Sequence, residues 1–245
     1  MQNRVKIIRL ESVDSTNSWL AKHAPVEDAD ITVVTAEYQT AGRGQGQNRW
    51  ESEKGENLLF SILVHPMMVP LNRQFQLSMT EALALKEVLS DYVEGITLKW
   101  PNDVYWHDKK LSGTLIENML GGGHVKNCIF GTGINVNQTR FSGGAPNPVS
   151  LRQILGHEVG RDELLKKIVA AFEKYYALLC QGDYADIAAM YMDALYRKHG
   201  FWKYRDADGV FDAALVEVED DGHLVLRDKE GVVRSYAFKQ VEYVI

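Results

Sequence analysis

The chain changes character at Gly200, and this change sets the fold class. Before it, apolar runs typical of strands are interspersed with stretches whose apolar residues recur at helical spacing. After it, the sequence consists of short strand-like runs with turns at 220–222 and 228–231. We therefore predict an α+β main domain over residues 1–198 and a small all-β domain over 199–245. A unit of about 45 residues has little hydrophobic core of its own, so we expect it to pack against the main domain.

Four segments of the main domain carry the clearest secondary-structure signals. The β-branched run 31–38 and the apolar run 57–64 predict strands, and the first leads directly into a glycine-rich loop. Helical periodicity predicts one helix over about 75–93 and another through 164–179. Two more strand-like runs flank "GGGH" at 121–124, which is typical of a hairpin turn. The main domain is thus expected to combine sheet and helix.

Composition narrows the function classes. A formal net charge of -6 and a sequence pI near 5.7 argue against a generic nucleic-acid binder, which normally carries a basic excess. Cys128 and Cys180 lack metal-type spacing and the seven histidines are scattered, so no zinc site is expected. The N-terminal segment lacks the apolar run of a signal peptide, and no run is long enough to span a bilayer. We expect a cytoplasmic protein that binds neither DNA nor membrane.

The run "TAGRGQGQNRW" at 40–50 is the first candidate for a binding site. It does not match the Rossmann pattern, because Gln47 stands where a glycine is needed, and the P-loop pattern occurs nowhere in the chain. Its alternating glycines can nevertheless present backbone N–H groups to an anion, and Arg43 adds a planar fork suited to phosphate or carboxylate. An ordinary surface loop, with Trp50 filling a core, explains the same letters equally well.

Three further stretches combine glycine or proline with polar groups near apolar runs: "KWPNDVYW" at 99–106, "KKLSGTLIE" at 109–117 and "GTGINVN" at 131–137. An aspartate such as Asp103 can hold Mg²⁺. Lys110, just before a predicted strand, can stabilise charge on a phosphoryl group. Taken one at a time, each stretch is better explained as a turn or a kinked strand.

Together, and in this order after "DSTN" at 14–17, these stretches resemble the biotin–protein ligases. The resemblance covers residues 15–137, and the small β domain is similar to that family's C-terminal domain. It implies a mixed sheet packed with helices, related to class II aminoacyl-tRNA synthetases, followed by an SH3-like barrel. It also implies that biotin and ATP, with Mg²⁺, give biotinyl-AMP and pyrophosphate. A lysine of a biotin carboxyl carrier protein would then accept the biotin.

The resemblance also assigns roles to individual positions. Lys110 and Arg43 are the expected catalytic residues, with Lys110 offsetting the charge of two anions that must meet. Asp103 is the expected Mg²⁺ ligand. The expected biotin-binding residues are Ser15, Thr16, Asn17, Gln39, Arg43, Gly44, Gln45, Lys110, Gly113 and Gly133. The expected nucleotide-binding residues are Arg43, Trp50, Asn102 and Asn135.

Two departures from the family pattern lead to further expectations. Many members carry a second arginine where this chain has Gln45, so we expect looser retention of the adenylate unless Arg49 or Lys54 compensates. Some bacterial members carry an N-terminal helix-turn-helix, for which the chain has no room before residue 15, so we expect no operator binding. Members of the family often dimerise, and a homodimer is therefore among the expectations.

Two alternatives stay open. A lipoate or octanoate ligase would use the same sheet with a different acyl pocket, although the glycine-rich loop and "KWPND" favour biotin. A non-catalytic sensor of biotin or nucleotide would keep the pocket without the chemistry, and the joint presence of Arg43, Asp103 and Lys110 argues against it. The identity of the acid that supports pyrophosphate release from ATP distinguishes a biotin ligase from a lipoate or octanoate ligase. Biotin binding without adenylate formation would indicate the sensor.

Overall fold

A seven-stranded mixed sheet forms the centre of the larger part of the molecule. The computed structural model describes residues 4–23, 29–142 and 147–245. The strands of this sheet are β1 (Val5–Leu10), β2 (Ile31–Ala36), β3 (Leu58–Val64), β4 (Ile96–Lys99), β5 (Asp103–Trp106), β6 (Lys109–Gly121) and β7 (His124–Ile134). Their order is β1-β2-β3-β7-β6-β5-β4. Among the described strands, only β1 and β2 pair in parallel, which makes the sheet mixed.

Helices cover both faces of this sheet, which is why β3 is buried along its whole length. The helices are α1 (Thr16–His23), α2 (Phe75–Ser90), α3 (Leu151–Leu155), α4 (Arg161–Gln181) and α5 (Tyr184–Asp193). On the α1 face, Leu20 packs with Leu63 and Ile129. On the opposite face, Phe130 lies edge-on to Phe172 of α4 with the ring centroids 5.4 Å apart. Successive residues of β7 thus serve opposite cores.

A second, antiparallel sheet follows the helices. Its strands are β8 (Trp202–Asp206), β9 (Gly209–Val218), β10 (Leu224–Asp228), β11 (Val233–Tyr236) and β12 (Glu242–Tyr243). They are arranged in the order β11-β10-β9-β8-β12. The predicted turn at 220–222 lies between β9 and β10, and the turn predicted at 228–231 begins after Asp228, the last residue of β10. Tyr204, Leu224 and Tyr236 belong to the same buried apolar cluster as the core of the larger sheet. The predicted α+β class and C-terminal β unit are confirmed.

Two local predictions around "KWPND" were wrong. Taken by itself, the stretch 99–106 was best explained as a turn, but β5 already begins at Asp103. Lys110 was expected to precede a strand, but it lies inside β6, which begins at Lys109. A four-residue strand between two turns is too short for periodicity to reveal.

The other element predictions need only small changes. The helix expected over about 75–93 ends at Ser90, although Val93 beyond it is still buried. The expected hairpin is confirmed, since Gly122 and Gly123 join β6 to β7 with φ values of 61° and 82°. In the described part of the chain, no helix combines the length and the apolar character needed to cross a bilayer.

Candidate active site

A cavity of about 1080 Å³ lies between the larger sheet, the glycine-rich loop and the C-terminal sheet. We call residues 40–50 the flap. The flap is a narrow hairpin, closed by a hydrogen bond from Gly44 N to Asn48 O (2.8 Å) and by a bridge between Arg43 and Arg49. With the exception of Asn135, the cavity brings together the residues that the sequence assigned to a ligand or metal. These are Ser15, Thr16, Asn17, Gln39, Arg43, Gly44, Gln45, Trp50, Asn102, Asp103, Lys110, Gly113 and Gly133.

The first turn of α1 supplies a buried polar network at one end of the cavity. Thr16 donates from N and Oγ1 to Gln39 Oε1 at 2.8 and 3.1 Å. Ser61 Oγ, on β3, lies 2.7 Å from Thr16 Oγ1 and 2.6 Å from Asn17 Oδ1. Asn17 Nδ2 donates to Glu117 Oε2 at 2.9 Å. Because each of these side chains has a fixed partner, the network presents donors and acceptors in a set orientation.

Glycines of β6 and β7 form the floor of the cavity, which we define as Gly113, Gly131 and Gly133. A Cβ added to Gly131 would overlap the side-chain amide of Asn17, and one added to Gly133 would overlap the indole of Trp50. These contacts explain why the floor is made of glycine. The Trp50 Nε1 is buried and has no hydrogen-bond partner among the described residues, so it is free to donate to a ligand.

A β-bulge turns Lys110 toward the cavity. In the pairing of β5 with β6, Tyr105 faces Lys110 and Val104 faces Ser112, which leaves Leu111 without a partner. The extra residue places Lys110 and Gly113 on the same side of β6, and a Cβ on Gly113 would lie 3.0 Å from Lys110 Nζ. The bulge is the local reason that a lysine three positions before the floor reaches into the site.

Two ion pairs hold the principal cations of the cavity. Lys110 Nζ lies 2.6 Å from Asp103 Oδ1, with side-chain exposures of 19% and 13%. Arg43 binds Glu117 through both guanidinium nitrogens, at 2.7 and 3.2 Å, with side-chain exposures of 46% and 36%. Glu117 also accepts from Asn17, so one carboxylate links the flap to the polar network of α1.

The two asparagines assigned to the nucleotide have structural partners. Asn102 Nδ2 donates to Thr114 O at 2.5 Å, and Thr114 N donates back to Asn102 O at 3.0 Å, which fixes the turn before β5. Asn135 is buried and lies behind the cavity wall, where its Nδ2 donates to Lys110 O at 3.4 Å. In this position Asn135 supports the backbone of Lys110 and does not line the cavity.

A buried carboxyl group lies on the helix side of the floor. Glu81 of α2 accepts hydrogen bonds from Thr132 Oγ1 at 2.7 Å and from Thr114 Oγ1 at 3.1 Å. Burial raises the pKa of Glu81 to about 7, even though the two hydroxyl donors act in the opposite direction. Each of these threonines neighbours a floor glycine in its strand, so the pair ties the floor to α2.

Asp103, the expected Mg²⁺ ligand, is a mostly buried carboxylate in the cavity lining. Its Oδ1 makes no aligned hydrogen bond, although Lys110 Nζ is close to it. The three residues with metal-compatible spacing in the described part of the chain are Glu219, Asp221 and His223, which lie at the turn between β9 and β10. A single carboxylate suits a magnesium ion that is coordinated mainly by phosphates. The cavity residues therefore fit a Mg²⁺ ion only if other ligands complete its coordination.

Sequence reasoning missed several residues of the site. Ser61 was visible as the one polar residue inside the apolar run that follows Asn57, and Glu117 ended a stretch already singled out. Lys99 lies between the rings of Tyr105 and Tyr243, 5.1 and 4.7 Å from their centroids, and burial lowers its pKa. No motif in the sequence indicated that residues of the C-terminal sheet line the cavity. Its cavity-lining residues are Arg205, Phe238, Lys239, Val241, Glu242, Tyr243, Val244 and Ile245.

Comparison with known families agrees with the geometry of the cavity. The Biotin/lipoate A/B protein ligase family matches residues 10–135, more than half of the chain, and the chain therefore belongs to that family.

Individual members of the family and one solved structure resemble the chain over most of its length. The Biotin--[acetyl-CoA-carboxylase] ligase of Paracoccus denitrificans is 30% identical, over 91% of this chain and 94% of its own length. The Bifunctional ligase/repressor BirA of Bacillus subtilis (strain 168) is 29% identical, over 93% of this chain and 70% of its own length. Among solved structures, the biotin protein ligase from Aquifex aeolicus in complex with biotin and ATP is 26% identical with a TM-score of 0.80, covering 98% of this chain and 99% of that one.

Proposed function

We propose that the protein is an ATP-dependent biotin ligase, which attaches biotin to a lysine of a biotin carboxyl carrier protein through biotinyl-5′-AMP. The observation that carries the proposal is the single cavity that unites the α1 network, the floor, Lys110 and the flap. Family membership, and the likeness to an Aquifex ligase bound to biotin and ATP, support the same substrates.

The α1 end of the cavity suits the ureido ring of biotin. That ring both donates and accepts hydrogen bonds, and Ser15, Thr16, Asn17 and Gln39 offer both kinds of group at this end. The floor glycines make room for Asn17 and Trp50, which line the cavity above the strands. Biotin's carboxylate would then extend toward Lys110 and the flap.

In the first step, a carboxylate oxygen of biotin attacks the α-phosphorus of ATP, and the bond from that phosphorus to the pyrophosphate oxygen breaks. Both reactants are anions, so positive charge at the reacting centre lowers the barrier. Lys110 supplies such a charge from a strand, and Asp103 keeps its Nζ in place. Arg43 adds a second charge from the flap. Asp103 and the phosphates would hold Mg²⁺, which neutralises further phosphate charge.

In the second step, the neutral amine of the carrier lysine attacks the carbonyl carbon of biotinyl-AMP. The bond from that carbon to the phosphate oxygen breaks, AMP leaves with the bonding electrons, and the nitrogen loses a proton to water. The protein's own side chains form no covalent bond in either step. Their work is to bind, orient and neutralise charge.

Further parts of the proposal concern the whole chain. We assign the chemistry to residues 1–198 and treat residues 199–245 as a C-terminal domain that completes the cavity wall, which the two separate sheets support. The net charge of -6 supports the absence of operator binding. A cytoplasmic location is carried over from the sequence expectations, and a homodimer rests on the family resemblance.

The direct test mixes the purified protein with biotin, MgATP and an acceptor carrier domain, and identifies the product by mass spectrometry. We expect amide-linked biotin on one carrier lysine, dependent on both biotin and ATP. Pyrophosphate release with lipoate or octanoate but not with biotin would replace the proposal by the lipoate ligase alternative. Saturable biotin binding without adenylate formation would replace it by a sensor.

A further inference from the structure

The cations that line the cavity differ in whether they already have an acidic partner. Arg43 is paired with Glu117 and Lys110 with Asp103. Lys239 lines the same cavity from the turn before β12. Within the described residues it forms no ion pair, a property that it shares with Arg49, Lys99 and Arg205 of the cavity lining. An unpaired ammonium group can meet an incoming phosphate without first losing a carboxylate.

The position of the Lys239 ammonium sets it apart from the other cations of the cavity. A Cβ added to Gly46, at the tip of the flap, would lie 2.6 Å from Lys239 Nζ. Gly46 has a φ of 66° and is flanked by Gln45 and Gln47, so the tip of the flap carries no charge of its own. Lys239 therefore places a positive charge where the flap has none.

The turn that carries Lys239 is held against the larger sheet. Ala237 N donates to Gln240 Oε1 at 2.8 Å, which closes the turn 237–240. Lys239 itself has a φ of 68°, an uncommon backbone conformation for a residue with a side chain. The Phe238 ring lies against Trp100 of "KWPND" with the centroids 6.2 Å apart. The position of this lysine is thus fixed by packing between the two sheets.

We propose that Lys239 is a binding residue for the phosphates of ATP and then of biotinyl-AMP, supplied to the flap by the C-terminal sheet. This inference rests on the proposed function for the identity of the ligand. It also bears on the charge that is missing at Gln45, for which Arg49 and Lys54 were the expected replacements. Arg49 lines the cavity but lies opposite Arg43 in the hairpin, whereas Lys239 reaches the flap tip at Gly46. Lys54 pairs with Glu11 at 4.0 Å and does not line the cavity.

A purely structural role makes different predictions. Lys239 Nζ lies 5.8 Å from the centroid of the Phe238 ring, so the side chain also shields an exposed aromatic residue. A lysine with that role alone would affect thermal stability and not ATP affinity. An arginine at 239 would serve a phosphate as well as lysine does, whereas glutamine keeps most of the length and loses the charge.

The test compares Lys239→Gln with Lys239→Arg and with Lys229→Gln as the matched control. Lys229 is an exposed lysine in the turn after β10, which pairs with Asp212 at 2.9 Å and does not line the cavity. ATP affinity is measured by calorimetry without biotin, and escape of biotinyl-AMP by rapid filtration. We expect Lys239→Gln to weaken ATP binding and speed escape roughly five- to tenfold, while the other two variants stay within twofold of wild type.

Two readouts separate a charge effect from a structural one. High salt should shrink the difference between wild type and Lys239→Gln, because the interaction of exposed charges is screened. Adding Gln45→Arg to Lys239→Gln should restore slow escape, since it returns a cation to the flap tip.

Failure of the inference differs from failure of the proposed function. If Lys239→Gln matches Lys229→Gln in ATP affinity and in adenylate escape, Lys239 has no role in phosphate binding. If wild type labels no carrier and yet Lys239→Gln weakens ATP binding, the ligase proposal fails and the phosphate site stands.

Discussion

The flap and the strand β6, which carries part of the floor, hold their cations in different surroundings. Arg43 and Glu117 are more than a third exposed, and the flap that carries Arg43 is a hairpin with few backbone hydrogen bonds. Lys110 and Asp103 are mostly buried on paired strands. An exposed ion pair exchanges its partners at little cost, whereas a buried pair keeps its geometry. The floor is therefore preformed, and the flap is the part that ligands can rearrange.

The largest expected effect comes from removing Lys110, the cation of β6 beside the floor. Lys110→Ala should slow pyrophosphate release about 1000-fold, because it removes preorganised charge from the reacting centre. The control is Lys109→Ala, which alters the exposed neighbouring lysine. Biotin-dependent pyrophosphate release measures the rate, and circular dichroism checks the fold. Normal turnover in Lys110→Ala would remove Lys110 from its proposed role.

The next effect concerns the carboxyl group behind the floor. The fold holds the Glu81 proton up to about pH 7, whereas the unfolded chain releases it near 4.5. Between those values the fold binds more protons than the unfolded chain, so this group's contribution to stability is lost as pH rises. Relative to wild type, Glu81→Gln should therefore gain about 3 kcal/mol in unfolding free energy between about pH 4 and about pH 8.

Denaturant titrations across that range measure the difference, and Glu87 on the same helix provides a control of opposite sign. Hydrogen bonds from Lys174 and Tyr175 lower the pKa of Glu87, so its contribution to stability is lost as pH falls. The unfolding free energy of Glu87→Gln, relative to that of wild type, should therefore be highest at low pH. A Glu81→Gln variant whose stability parallels wild type at every pH would show that the buried carboxyl does not titrate with folding.

The floor's shape is tested by filling it. Gly131→Ala would press a methyl group into the amide of Asn17, so biotin affinity should fall about 100-fold. The control is Gly160→Ala, where no atom lies within 4 Å of the added Cβ. Calorimetric titration with biotin gives the affinities. Affinities for Gly131→Ala within threefold of wild type would mean that the α1 network does not form the biotin site.

The smallest expected effect is on the flap. Glu117→Gln removes the charge partner of Arg43 and keeps an oxygen that can accept from Asn17. Because the pair is exposed, unfolding free energy should change by less than about 1 kcal/mol. Thermal denaturation measures this difference. A loss as large as that expected for a buried pair would place the flap among the rigid parts of the molecule.

The sequence predicted the parts of the site that lie in contiguous motifs, and it did not predict those that depend on strand pairing. Most site residues could be predicted because they lie in short contiguous motifs. These are "DSTN", the flap, and the stretches that contain Lys110 and the floor glycines. The bulge at Leu111 could not be foreseen, since it depends on pairing with β5, a strand too short to show periodicity.

Contributions that depend on packing between the two sheets were also beyond the sequence. Nothing in "AFKQ" indicates that Lys239 lies near Gly46. Glu81 falls within a helical pattern, where a charged residue is expected to face solvent. Its carboxyl group is nevertheless buried and accepts hydrogen bonds from two threonines of the sheet. The predicted Asn135 is the converse case, because its motif is present while its side chain supports the wall from behind.

Amide hydrogen exchange, followed with and without biotin and ATP, tests the division between a preformed floor and a rearranging flap most directly. The account predicts slow exchange in β6 and β7 in both states, and a clear gain in protection confined to the flap when both ligands are present. Equal gains in the floor and the flap would contradict it, because the floor would then be organised by the ligands and not by the fold.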